Sequence, residues 1–200
     1  MLSDLLASNR RWAAARVSEE PDYFRRLSGL QHPEYLWIGC SDSRVPANVI
    51  TGLQPGEVFV HCNVANLVHR GDLNLLSVVE YAVETLRVRH VIICGHYGCG
   101  GLRAAMDGGR HGIIDHWLQP IRDVAEANRE VLSGIADNEA RHRRLCELTV
   151  AAQVEGLSRT PIIQSAWRRA NPLAIHGWVY DLGDGHLRDL SCTRAVAARP

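Results

Sequence analysis

The sequence predicts an α/β protein with a mainly parallel β-sheet flanked by helices, an antiparallel hairpin at the sheet edge and an N-terminal helical arm. Short, continuously apolar runs alternate with stretches of helical periodicity, a pattern typical of parallel sheets covered on both faces. The turn Gly183-Asp184-Gly185 separates the last two strand-like runs. The N-terminal residues follow a helical pattern instead of a strand pattern.

The N-terminal arm, residues 1–30, is expected to be helical and amphipathic. Its apolar positions are Leu2, Leu5, Leu6 and Trp12. One helix cannot bury such a face by itself, so the arm needs a further surface to pack on. A length of 200 residues predicts one domain, residues 1–200, with the arm as part of it.

The predicted elements follow in chain order from periodicity and turn residues. The predicted strands are Tyr35–Gly39, Glu57–His61, His90–Cys94, Ala174–Asp181 and His186–Leu190. The longer predicted helices are Asp72–Arg87 and Glu139–Gly156. Cys99-Gly100-Gly101 is expected to open another helix directly after the third strand.

Composition excludes some partners and indicates a compartment. Lys+Arg and Asp+Glu both number 22, so the formal net charge is zero, which argues against nucleic acid or a membrane surface as the main partner. No segment has the 18 or more apolar residues of a membrane span, and the N-terminus lacks the pattern of a signal peptide. The six cysteines are irregularly spaced, so we expect free thiols and a cytoplasmic location.

Two motifs supply the ligands of a metal site. Cys40-Ser41-Asp42-Ser43-Arg44 and His96-Tyr97-Gly98-Cys99 each begin where a predicted strand ends, the edge at which open α/β sheets gather their ligands. Two thiolates and one imidazole are the ligands of a catalytic zinc with one exchangeable position. We therefore predict one Zn²⁺ per chain on Cys40, His96 and Cys99. Cys94, in the middle of a strand, is interpreted as an ordinary buried cysteine.

Asp42 and Arg44 are the predicted catalytic pair. Asp42 is a possible fourth zinc ligand, and Arg44 can hold it away through a bidentate contact. Water then completes the zinc, and the pKa of that water falls to about 7. The carboxylate can orient the resulting zinc-bound hydroxide toward an electrophile.

These motifs resemble those of the β-class carbonic anhydrases, most of all the bacterial members. The resemblance runs from Leu36 to Arg194 and includes CSDSRV, NVAN at 63–66, GHYGCGG, SAW at 165–167 and IHGWVYD. It implies reversible hydration of CO₂ to bicarbonate and a proton on zinc, with Cys40, His96 and Cys99 as ligands. Because family members exchange N-terminal helices between subunits, the resemblance also implies a homodimer or homotetramer.

The resemblance implies further site residues. The positions that match the family's substrate pocket are Gln31, Phe59, Val64, Tyr81 and Gly100. Some bacterial members share an inhibitory bicarbonate site made of Trp, Arg and Tyr; Trp37 and Tyr180 match it, but Cys62 stands at the arginine position. A neutral thiol cannot bind an anion bidentately, so the sequence predicts that this site is degenerate.

Two alternative functions stay open at this point. An enzyme of the same fold acting on a CO₂ analogue, such as carbonyl sulfide, would have a similar site and differ in pocket size. A non-catalytic zinc-binding module would hold zinc without an exchangeable water, and the presence of both Asp42 and Arg44 argues against it. The histidines without an assigned role, any of which is a candidate proton carrier, are His61, His111, His116, His142 and His186.

Overall fold

The computed structural model describes residues 2–29 and 31–196 and divides the chain into two compact units, Met1–His32 and Pro33–Pro200. The first unit contains helices α1 (Leu2–Glu19) and α2 (Tyr23–Leu27). The second unit contains the sheet and the other helices. No helix of the described residues combines the length and apolar character needed to cross a membrane.

The first unit contains the predicted N-terminal helix. In α1, the side chains of Leu2, Leu5 and Leu6 are 80%, 67% and 61% exposed, and no residue of the helix is buried. The ring of Trp12 lies edge-on to Phe24 of α2, with centroids 5.7 Å apart. The helix is therefore present, while the packing of its apolar face on a partner subunit stays a prediction.

The second unit is built on a six-stranded sheet in the order β2-β1-β3-β4-β5, with β6 also paired to β4. The strands are β1 (Tyr35–Cys40), β2 (Val58–Asn63), β3 (His90–His96), β4 (Ala174–Tyr180), β5 (Leu187–Asp189) and β6 (Arg194–Ala195). The β1–β2, β1–β3 and β3–β4 pairs are parallel, and β5 and β6 run antiparallel to β4. The predicted fold class is confirmed, including the edge hairpin, while β6 was not predicted.

The predicted long helices are present, with one change of geometry. The remaining helices are α3 (Ala47–Thr51), α4 (Leu73–Glu80), α5 (Gly100–Met106), α6 (Ile114–Trp117), α7 (Gln119–Ala127), α8 (Arg129–Ser133), α9 (Asn138–Ser158) and α10 (Pro161–Arg168). The predicted helix Asp72–Arg87 begins after the Asp72 cap, whose carboxylate accepts from Asn74 N–H. It continues beyond α4 as a π-helical turn, Tyr81–Leu86, and ends at Arg87 with φ +61°.

Helix α9 packs closely against one face of the sheet, and Gly95 of β3 permits that approach. A Cβ on Gly95 would lie 2.7 Å from Val150 Cγ2 and 3.1 Å from Cys146 Sγ. Real Cβ atoms do not approach other atoms so closely, so a side chain here would push α9 away from β3. This packing places the first half of α9 behind the end of β3, where His96 lies.

We expect Gly95→Ala to lower the free energy of unfolding by about 1–3 kcal/mol, the usual cost of adding volume to a packed core. The control is Gly156→Ala within α9, where an added Cβ meets nothing within 4 Å. That change should be neutral or stabilising by up to about 1 kcal/mol, because Ala favours the helix. Denaturant unfolding at one protein concentration measures both variants. Equal stability of the two would contradict the close packing at Gly95.

Candidate metal centre

Three buried ligand groups meet at the carboxyl edge of the sheet. Cys40 ends β1 and His96 ends β3, and these strands are neighbours in the sheet. Cys99 follows three residues later and precedes the first residue of α5. The two sulfurs lie 3.9 Å apart, and the three ligand atoms all lie within 4.8 Å of one another. Two thiols and an imidazole at this spacing form a group able to hold a metal ion.

The imidazole of His96 is oriented for metal binding. Its Nδ1 lies 3.1 Å from the carbonyl oxygen of Tyr97. A carbonyl only accepts, so Nδ1 carries the proton and Nε2 keeps its lone pair. Nε2 is buried and has no hydrogen-bond partner among the described residues. A buried nitrogen without a partner is costly unless something binds it, and a metal ion satisfies it.

The pKa values of the two thiols depend on each other, and a bound cation would stabilise both groups as thiolates. The pKa of Cys40 lies well below its usual range because Cys99 donates a hydrogen bond to it, with a further contribution from the backbone N–H of Ala65. The pKa of Cys99 is raised because it shares this hydrogen bond with Cys40 and is buried. Two thiolates side by side repel each other, and a bound metal cation removes that cost. The residues therefore fit zinc.

Asp42 and Arg44 form the predicted pair beside these ligands. Arg44 donates from Nε to Oδ1 at 2.9 Å and from Nη2 to Oδ2 at 2.7 Å. Its backbone N–H also donates to Oδ1 at 3.0 Å. These hydrogen bonds hold the pKa of the Asp42 carboxyl well below its usual range. Oδ2 lies 3.6 Å from His96 Nε2, so an ionised carboxylate of fixed orientation faces the metal ligands.

Two spaces of very different size border the ligand residues. An open groove of about 560 Å³ is lined in part by Cys40, Asp42, Val60 and Cys62. A second cavity, lined in part by Cys99 and by His142 and Cys146 of α9, has a volume of only about 10 Å³. That volume holds at most about one water molecule. Of these two spaces, only the groove is large enough for CO₂.

Comparison with known proteins decides the family. The family model described as carbonic anhydrase matches residues 35–187. The chain belongs to the β-class carbonic anhydrase family. It is 46% identical over 187 residues to a carbonic anhydrase of Emericella nidulans, covering 94% of this chain and 82% of that protein. Enzymes of this class use zinc, which agrees with the ligand group described above.

Solved structures of the family have the same fold as this chain. A tetrameric β-carbonic anhydrase from the filamentous ascomycete Sordaria macrospora superposes with a TM-score of 0.93 at 42% identity, covering 97% of this chain and 98% of that one. The Coccomyxa β-carbonic anhydrase in complex with acetazolamide gives a TM-score of 0.91 at 41% identity, covering 95% and 86% of the two chains. Because Emericella nidulans and Sordaria macrospora are fungi, the bacterial subdivision suggested by the motifs is not confirmed.

The structure places the predicted pocket residues of this family member in three regions. Phe59 and Tyr81 contact each other, with ring centroids 5.9 Å apart. Val64 lies beside Gly101, whose added Cβ would be 3.2 Å from Val64 Cγ1, and Gly100 opens α5 next to Cys99. Gln31 belongs to the N-terminal unit. None of the five lines the open groove, so their role in substrate binding stays a prediction.

The residues of the predicted degenerate bicarbonate site lie on β1, β2 and β4, and β3 separates β4 from the other two strands. Trp37 is buried, and its indole N–H has no partner among the described residues. Cys62 pairs with Gly39 in the sheet, and Tyr180 pairs with His96. Burial is the first cause of the raised pKa of Cys62. Its thiol is therefore neutral at pH 7 and cannot replace a guanidinium, which supports the prediction of a weak anion site.

Some contributors to the site were missed by sequence reasoning. The backbone of Ala65 contributes to the lowered pKa of Cys40, and Ala65 adopts a left-handed conformation, φ +64°. Only glycine adopts that region freely, so an alanine gives no sequence signal of it. Arg143 and Glu147 of α9 contact Tyr97, between the ligands His96 and Cys99. Arg143 belongs to a short basic run, which alone indicates a solvated helix face.

Proposed function

We propose that this protein catalyses the reversible hydration of carbon dioxide to bicarbonate and a proton, with one zinc held by Cys40, His96 and Cys99. The observation that carries the proposal is the meeting of these three buried ligands, one of them an unpartnered His96 Nε2, with the Asp42–Arg44 pair. A purely structural zinc site would be closed by a fourth Cys or His. Here the neighbouring group is a carboxylate held by Arg44.

Each group of the site has a separate role in the proposed reaction. Zinc, when bound, lowers the pKa of a water to about 7, so that a nucleophile is available near neutral pH. Asp42 is ionised and can only accept hydrogen bonds, so it orients an O–H of the attacking group and leaves a lone pair directed at the carbon of CO₂. Arg44 keeps the carboxylate in that orientation. The open groove admits CO₂ and releases bicarbonate and the proton to solvent.

The test is a stopped-flow CO₂-hydration assay on protein whose zinc content has been measured. We expect about one zinc per chain and activity that rises over about pH 7 to 8, the range in which the activated water ionises. Zinc-loaded protein without hydration activity would instead indicate a non-catalytic zinc module. Measured turnover of carbonyl sulfide decides the substrate, because faster turnover of the sulfide than of CO₂ would contradict the proposal.

Three finer statements are also proposals. A homodimer or homotetramer is supported by the tetrameric relative from Sordaria macrospora and by the exposed leucines of α1; light scattering on the purified chain tests it. A cytoplasmic location is supported by six free cysteines, which suit a reducing compartment. Assignment to a bacterial subtype is supported only by the motifs themselves.

We expect allosteric inhibition by bicarbonate to be weak or absent. A charge-assisted hydrogen bond contributes roughly 1.5–3 kcal/mol, so Cys62 in place of arginine should weaken anion binding on the order of 10- to 100-fold. The measurement compares bicarbonate inhibition of the native chain with that of Cys62→Arg, separated from simple product inhibition. Strong cooperative inhibition of the native chain, unchanged in Cys62→Arg, would mean that another cation serves the site.

A further inference from the structure

Tyr97 is held from two directions by helix α9. Its phenol O–H donates to Glu147 Oε1 at 2.8 Å. The guanidinium carbon of Arg143 lies 3.6 Å from the centre of its ring, a cation–π contact. Positions 143 and 147 are one helical turn apart, so both groups project from the same face of α9. The ring of Tyr97 is buried, and its movement is restricted at its face and at its hydroxyl.

The two groups that hold Tyr97 are themselves fixed by ion pairs. Arg143 donates to Asp181 Oδ2 at 2.8 Å, and Arg188 lies 3.4 Å from the same oxygen. Glu147 accepts from Arg144 at 2.8 Å. Arg143 therefore lies between the tyrosine ring and a carboxylate that directly follows β4. A planar guanidinium held on both sides is ordered, unlike the same side chain on a solvated helix face.

The backbone of Tyr97 connects this arrangement to the metal ligands. Its N–H donates to the carbonyl of Tyr180 at 3.0 Å, and its carbonyl accepts from His96 Nδ1 at 3.1 Å. The second contact fixes the tautomer and the direction of the His96 imidazole. Cys146 of α9 adds a contact to the carbonyl of His96 at 3.4 Å. A rotation of the peptide group that carries the Tyr97 carbonyl would therefore turn the imidazole that faces Cys40 and Cys99.

We propose that Arg143 and Glu147 are positioning residues of the metal centre, which clamp Tyr97 and thereby fix the direction of His96 Nε2. This inference rests on the proposed function, in which Cys40, His96 and Cys99 hold zinc. The competing explanation is that Tyr97 and its partners only pack the back of the sheet. Packing alone affects the stability of the fold, whereas a clamp also affects the geometry and lifetime of the bound metal.

The test measures the metal directly. Arg143→Met removes the charge and the planar stacking surface and keeps most of the side-chain volume. We expect its zinc to pass to a chromogenic chelator about 10-fold faster than in the native enzyme, the lower end of the effect of removing an outer partner of a metal ligand. In the cobalt-substituted protein, we expect the thiolate-to-cobalt and d–d absorption bands to shift. Arg159→Met, at the C-terminal cap of the same helix and paired with Glu155, is the matched control and should change neither.

Two further variants keep the test decisive. Arg143→Lys retains the positive charge facing Asp181 but lacks the planar surface, so we expect an intermediate rate of zinc release. Its rate decides the question if Arg143→Met does not fold. Tyr97→Leu alone and combined with Arg143→Met should give similar rates, since the two residues act through one contact.

A lower unfolding temperature with native zinc release and native cobalt bands in the Arg143 variants would overturn the clamp. That outcome is distinct from failure of the proposed function. A native chain that binds zinc or cobalt but does not hydrate CO₂ contradicts the function, while the release rates and spectra still decide whether Arg143 positions the metal ligands.

Discussion

Cys40→Ala is expected to lose both its zinc and its CO₂-hydration activity. The change removes one of the three convergent ligands and leaves His96 and Cys99. Removing an outer partner of a ligand already costs about 10- to 100-fold in metal affinity or activity, and loss of a ligand itself should exceed 100-fold. Metal analysis after gel filtration and the stopped-flow assay measure the two effects on the same sample.

The matched control for this experiment is Cys94→Ala. Cys94 is also buried and lies on β3 two residues before His96, but its thiol donates to the carbonyl of Gly95, at 3.3 Å, and does not belong to the group of convergent ligands among the described residues. We expect this variant to keep its zinc and most of its activity. Full zinc in Cys40→Ala would remove Cys40 from the ligand set. Equal zinc loss in both variants, with loss of helical circular dichroism, would point to unfolding.

Asp42→Asn is expected to keep most of its zinc and lose activity on the order of 100-fold. The three metal ligands are untouched, so the ion remains bound. The amide has the shape of the carboxylate but no charge, and its NH₂ group donates where an acceptor is needed. General acid–base contributions of this kind are typically about 10²–10⁴-fold. Asp184→Asn is the control, because Asp184 is also a carboxylate held by an arginine, Arg188, in the turn between β4 and β5.

Measuring the activity of Arg44→Ala at pH 8 separates the effect of the orientation of Asp42 from the effect of its charge. In the native protein, Arg44 lowers the pKa of Asp42, so the carboxylate is ionised well below neutral pH. In Arg44→Ala, that pKa rises toward the ordinary value of about 3.9, which still leaves Asp42 ionised at pH 8. Lost activity at pH 8 therefore comes from a carboxylate that is free to bind the metal and exclude water. Near-native turnover of Asp42→Asn or Arg44→Ala at pH 8 would contradict the gating role.

The boundaries of the helices and strands show which elements a local sequence pattern predicts and which it does not. The strand after Glu34 and the long helix that ends near Ser158 were predicted to within about two residues, because apolar runs and capping residues are local signals. The helices α6, α7 and α8 have four, nine and five residues. Segments so short show barely two turns of periodicity, and tertiary packing decides whether they are helical.

The sequence by itself indicated which groups are candidates for the chemistry. Cys40, Asp42, His96 and Cys99 could be assigned because ligand type is a property of the residue, and because each motif follows an apolar run that ends a strand. Only the tertiary structure decided that β1 and β3 are neighbours although β2 lies between them along the chain. It also decided that Tyr97 meets Glu147, fifty residues away, and that Ala65 adopts a left-handed conformation. Such contacts depend on strand order and on how closely α9 packs, and neither is encoded in a local pattern of residues.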